Sequence, residues 1–222
     1  MRIKINLTKP NTKVPVNNQH QMNGFIFSSF GKDSKYHDSF SDYCISSLQG
    51  GKLNEDKKTL NFNSCIPHFY ISGNNEFIGM AIDAFTNSTA SFFGMKFHSI
   101  DVFDDFKVSE SFDNVVTISP ILLKNKDGRK ITVNDENFIE LLTEHCIKKL
   151  SHFGINDKTF KIEIINKNKS KAKCVWVGDI FNPCSMVRLK VFGKKNTRKM
   201  LYNVGLGCST GSGFGNVKIY SI

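Results

Sequence analysis

The chain has 222 residues and a formal net charge of +10, from 30 Lys and Arg against 20 Asp and Glu. Apolar residues make up 40% and aromatics 12%, enough to bury a core, which excludes a chain disordered throughout. No apolar run approaches the length of a membrane span, and Met1-Arg-Ile-Lys-Ile lacks the apolar stretch of a signal peptide, so a cytoplasmic protein with no membrane partner is expected. The six cysteines (Cys44, Cys65, Cys146, Cys174, Cys184, Cys208) are scattered without a CxxC pair. That spacing fits reduced, buried thiols, not a zinc site or a disulfide framework.

Arg2 to Leu7 alternates polar and apolar side chains and reads as a strand. Pro15 and Asn17-Asn18 are start signals for a helix that carries Met22, Phe25, Ile26 and Phe30 on one face and stops at Gly31. Tyr43 to Leu48, Thr59 to Phe62 and Ile66 to Ile71 read as short strands. A second helix follows from Asn74 to Phe85, then β-rich segments at Ala90 to Ser99 and Asp101 to Phe106. This order predicts a ferredoxin-like βαββαβ domain over residues 1–107. Lys107 to Asp113 is polar and aperiodic, as a linker would be.

Residues 114–222 restart the pattern. A strand at Val115 to Leu123 precedes a strong helix from Asp135 to Phe153, with acids at its start, lysines near its end and Gly154 just beyond. Strands follow at Thr159 to Ile165, Lys173 to Val177 and Met186 to Phe192, then a short or degenerate helix at Thr197 to Tyr202 and a strand at Gly215 to Ile219. The expected fold is α+β, two tandem ferredoxin-like (RRM-like) domains.

A charge this large favours an anionic partner, nucleic acid first. Only four basic residues are Arg, and a Lys/Asn-rich composition also arises from an AT-rich genome, so distribution is the better witness. Residues 186–199 carry Arg188, Lys190, Lys194, Lys195, Arg198 and Lys199 with no acid, and Lys167 to Lys173 holds four lysines. Just beyond, Gly205, Gly207, Gly211, Gly213 and Gly215 place five glycines in eleven residues. Glycines let backbone N–H groups close on a phosphate. No Gly-Lys-Ser/Thr ends the loop and no helix follows it, so neither a P-loop nor a dinucleotide fingerprint fits. The flanking basic run favours phosphate-backbone binding over a plain hairpin linker.

Gly213-Phe-Gly215-Asn-Val-Lys-Ile219 resembles the C-terminal signature of the CRISPR-associated repeat-processing endoribonucleases of the RAMP superfamily. Val14-Pro-Val-Asn17 with Gly24-Phe-Ile-Phe27, Tyr36-His37-Asp38 with Tyr43-Cys-Ile-Ser46, and Val116-Thr-Ile-Ser-Pro120 agree with the same family in order. The resemblance implies cleavage of CRISPR repeat RNA in precursor transcripts without metal or cofactor. The 2′-OH attacks the adjacent phosphate, leaving a 2′,3′-cyclic phosphate and a 5′-OH. His37 falls on the family's general acid/base position; Tyr36 and Lys35 are candidate partners, and His20 is the runner-up. Many relatives carry a Tyr where Phe27 stands, and often a Lys where Ser39, Ser41 and Asp42 follow. His68 and His98 read as structural, and His145 and His152 as ordinary helix residues.

For RNA, the six basic residues of 186–199 would track phosphates and the Gly205–Gly215 backbone would seat a strand. Phe214 is a candidate for base stacking and Phe192 reads as core. The active site is expected in a cleft between domains. Implied partners are CRISPR repeat RNA and other CRISPR effector subunits, the chain acting as monomer or homodimer. Two rivals stand beside this reading. One is a catalytically inactive RAMP-fold RNA-binding subunit. The other is a metal nuclease using Asp101, Asp104 and Asp105, acids that read more simply as a solvated turn.

Overall fold

Alternation in β1 (Arg2–Leu7) turns Ile3, Ile5 and Leu7 to one face, where all three are buried, and leaves Arg2, Lys4 and Asn6 on the other. The computed structural model describes residues 1–31, 41–103 and 106–220. After β1 come β2 (Val14–Pro15), α1 (Gln19–Phe30), β3 (Cys44–Ile45), β4 (Lys52–Leu53), β5 (Thr59–Asn61), β6 (His68–Ser72), α2 (Asn75–Thr86) and β7 (Phe97–Phe103). The main sheet runs β3-β6-β1-β7, every pair antiparallel, and β2, β5 and β4 form a small side sheet. Helices α1 and α2 cover its apolar face with Met22, Phe25, Ile26, Phe77, Ile78, Ala81 and Phe85. Asn74 starts α2 by accepting the Phe77 N–H on its side chain at 2.8 Å.

The second half repeats the plan. It contains β8 (Phe112–Thr117), β9 (Leu123–Lys124), β10 (Lys130–Ile131), α3 (Phe138–His152), β11 (Lys161–Ile164), β12 (Lys171–Val177), β13 (Ile180–Met186), β14 (Arg188–Phe192), α4 (Lys195–Val204) and β15 (Val217–Ile219). Its sheet runs β11-β14-β8-β15, again all antiparallel. In both halves the order is second, third, first and fourth strand, with one helix after the first strand and one after the third. Each half is therefore a ferredoxin-like βαββαβ unit with its own apolar cluster.

Four local expectations change. The two segments expected over 90–106 form one strand, β7, preceded by a tight Phe92–Met95 bridge. The strand expected to reach Leu123 stops at Thr117, because the Ile118 and Ser119 N–H groups both turn to the Asn216 carbonyl, at 2.7 and 3.1 Å. The strand expected over Met186 to Phe192 divides, Met186 closing β13 and Arg188 opening β14. Helix α4 is a full ten residues.

The halves are joined by buried polar contacts. Arg2 reaches across, its Nε donating to Ser72 Oγ and its Nη2 to Asn216 Oδ1, both at 3.0 Å, with the guanidinium 4.5 Å from the Phe106 ring centre. The Ser47 N–H donates to Ser119 Oγ at 2.7 Å, and Thr210 Oγ1 to the Tyr43 carbonyl at 3.3 Å. Burial lowers the Arg2 pKa to about 10, which leaves it charged at neutral pH.

Candidate nucleic-acid interface

The glycine run is a wedge between the halves rather than an open cradle. Gly205, Gly207, Gly211, Gly213 and Gly215 are all buried. Gly213, at φ +93°, lies so close to α1 that a Cβ would meet Gln19 Nε2 at 2.1 Å. Gly215, at φ +68°, lies against backbone, with a Cβ position 1.9 Å from the Leu206 oxygen. Gly211 packs against Ser41 and Tyr43, the residues that resume the described chain after 32–40. Lys149, buried on α3, holds the loop from beneath. Its Nζ donates to the carbonyls of Val204, Gly205 and Gly207 at 3.1–3.2 Å and lies 3.4 Å from Thr210 Oγ1. Burial pulls the Lys149 pKa below the ordinary lysine value.

This placement corrects part of the expected RNA-binding set. A buried glycine backbone does not seat a strand as it stands. Phe214 is 2% exposed and packs with Leu122 and Cys184, so it is core and offers no face for stacking. Arg198 is fully buried, and its guanidinium is committed within the protein: Nη1 to Asp113 at 2.6 Å, Nε to the Gly193 carbonyl, and Nη2 to the Ser109 and Glu110 carbonyls. Lys195 pairs with Glu110 at 2.5 Å on the surface. Lys194 is exposed and precedes α4, and Lys199 is half-buried on that helix.

The open face of the second sheet collects what remains. Arg188, Lys190 and Phe192 share a face of β14, opposite the buried Leu189 and Val191. Across the register Phe192 faces Phe112, with ring centres 5.7 Å apart, and Lys190 Nζ stands 3.8 Å from the Phe112 ring centre. Arg188 lies 5.8 Å from the Tyr220 ring, and Lys218 is exposed on β15. Two half-exposed aromatics thus stand side by side on the central strands, flanked by cations. Phe192 is thus partly exposed, not core. The signal was its parity with Arg188 and Lys190. A cavity of about 300 Å³ also opens where the halves meet, lined among others by Asn17, Gln19, Gln49, Pro120 and Lys173.

His37, Tyr36 and Lys35 lie outside the described residues. His20 is exposed in the first turn of α1, close to Gly178 at the tip of the β12–β13 hairpin. That hairpin also exposes Trp176, Ile180 and Phe181. His68 packs edge-on against Tyr70, 5.5 Å between ring centres, and burial lowers its pKa. Asp101 lies in β7, not in a turn, and is held by Lys4 at 3.3 Å and Asn6 at 3.1 Å. Asp104 and Asp105 lie outside the described residues. His145 is not an ordinary helix residue: its Nδ1 lies 3.5 Å from Cys208 Sγ, a pairing that its distance in sequence concealed.

Two ferredoxin-like units of identical strand order, joined through a buried glycine-rich wedge, define a tandem ferredoxin-like protein. The family model of the CRISPR associated protein Cas6, C-terminal part, matches residues 104–219, and the chain belongs to that family. It is 27% identical to a CRISPR-associated endoribonuclease Cas6 of Methanocaldococcus jannaschii over 98% of this chain and 92% of the relative. Among solved structures it is similar to a Cas6-related protein from Pyrococcus furiosus, with TM-score 0.84, 24% identity, and 100% and 98% of the two chains covered. It is also similar to a RAMP protein binding different RNA substrates, with TM-score 0.85, 23% identity and full coverage of both chains.

Proposed function

We propose that the chain is an endoribonuclease that cleaves CRISPR repeat RNA in precursor transcripts, with residues 1–107 and 114–222 as its two domains. The observation that carries RNA binding is the Phe112–Phe192 pair flanked by Arg188 and Lys190 on an open sheet. Single-stranded RNA offers bases to stack and phosphates to pair at that spacing. The near full-length relation to a named endoribonuclease supports the cleavage itself.

In the proposed reaction the upstream 2′-OH attacks the neighbouring phosphate in line and expels the 5′-oxygen. His37 is assigned the proton transfer, with Tyr36 or Lys35 as partner and His20 as the alternative base. Gly211 packs on Ser41, four residues after His37, which supports a site built where the glycine loop meets that segment. No metal is required in this scheme, because the nucleophile belongs to the substrate.

Cognate repeat RNA should be cut in EDTA by the wild type and not by His37→Ala, with binding retained. A single 2′-deoxy substitution just upstream of the cut should block the reaction. Binding without cleavage by the wild type would instead establish the inactive RNA-binding subunit. Cleavage abolished by chelation and restored by magnesium would overturn the metal-free scheme.

A further inference from the structure

Cys208 sits in the glycine-rich loop, between buried Gly207 and exposed Ser209, and its N–H donates to the Leu122 carbonyl at 2.8 Å. Its thiol is partly exposed and lies 3.5 Å from His145 Nδ1 on α3. The other ring nitrogen, Nε2, is 2.9 Å from the Lys124 carbonyl. A carbonyl only accepts, so Nε2 carries the proton and Nδ1 is left to receive one from sulfur. Nucleophile, base and orienting group therefore stand in line, the arrangement that activates thiols. Lys149, one helical turn after His145, donates to the Gly207 carbonyl and places a buried ammonium beside the same loop.

The other cysteines lack this setting. Cys44, Cys146 and Cys184 are buried, and burial pushes their thiols up to about 11, 12 and 12. For Cys208 burial also acts upward, but the His145 hydrogen bond and charge bring the thiol below the ordinary value. Cys65 and Cys174 are exposed, contrary to the burial expected of the thiols, and serve as internal comparators.

We propose that Cys208 and His145 form a reactive thiol site for small disulfides. Sulfur gives its proton to His145 Nδ1, and the thiolate attacks one sulfur of R–S–S–R. A Cys208–S–S–R bond forms, the R–S–S–R bond breaks, and the departing thiolate takes the proton from His145. No external oxidant beyond the disulfide is needed.

The test uses the full chain and 5,5′-dithiobis(2-nitrobenzoic acid) in limiting amount at neutral pH, with each modified peptide identified by mass spectrometry. Cys208 should react about threefold or more faster than Cys65 and Cys174, the gain in thiolate outweighing the lower nucleophilicity of a more acidic thiol. His145→Gln should bring Cys208 down to their rate with the melting temperature kept. If that variant does not fold, the pH–rate profile of wild-type Cys208 decides, and its midpoint should lie below that of Cys65. A Cys208 rate no higher than the comparators, a rate unchanged in folded His145→Gln, or coincident profiles would overturn the site.

Discussion

A guanidinium taken wholly out of water must spend its donors inside the protein, and Arg198 does so on Asp113 and three carbonyls. Tyr202 adds a third member, its hydroxyl donating to Asp113 at 3.0 Å, and burial followed by the Asp113 charge raises its pKa. Arg198→Met leaves that carboxylate buried with one partner fewer and should cost about 3–5 kcal/mol in urea unfolding. Arg188→Ala and Lys190→Ala should behave oppositely. Stability should stay within about 0.5 kcal/mol, while RNA affinity falls and the slope of log K against log salt drops by about 0.7 per charge. Asp157 makes a pH prediction. Burial works against its charge, but hydrogen bonds from Thr159, the Lys194 N–H and Thr197 win and hold its pKa well below the usual range. Its contribution is therefore present above the unfolded carboxylate value of about 4 and is lost as pH falls toward the folded one. Asp157→Asn should lower the melting temperature at neutral pH and flatten its decline in acid. The burial of Arg198 was legible in principle, since it shares a helix face with Leu201 and Tyr202. The Cys208–His145 pair was not, because 63 positions separate the two residues and no local pattern links them.

Among the elements, the helices were the clearest in sequence, because α1 and α2 each present a periodic apolar face. Short strands were harder. β3 is only two residues, and its membership of the sheet is decided by pairing with β6, which no local signal carries. The glycine run was misread in a different way. Its composition suggests a flexible cradle, whereas three carbonyls held by Lys149 and a fit between two halves make it a packed part. Gly215→Ala tests this. A Cβ there would collide with the Leu206 carbonyl while the residue keeps a positive φ, so a loss of about 3 kcal/mol or more is expected in thermal or urea unfolding. Gly128, also at positive φ but with open space where a Cβ would stand, should lose only about 1 kcal/mol when changed to Ala.

At the scale of the molecule, the repeated strand–helix order was readable twice along the chain, and with it the fold. What periodicity could not supply was how the halves meet, since that rests on single side chains such as Arg2, Ser47 and Asn216. Arg2→Ala removes two buried hydrogen bonds across or beside that junction and should cost about 2–3 kcal/mol, read as an earlier urea midpoint. The sheet orders carry one more consequence, for the chain as it is synthesised. The first sheet closes once β7 has been made, near residue 103, so the first half can fold while the rest is still being translated. The second sheet waits for β15, which pairs with β8 only after the glycine wedge has emerged. The wedge and the junction therefore form last, and a ribosome that stops short of residue 219 releases a folded first half without its counterpart.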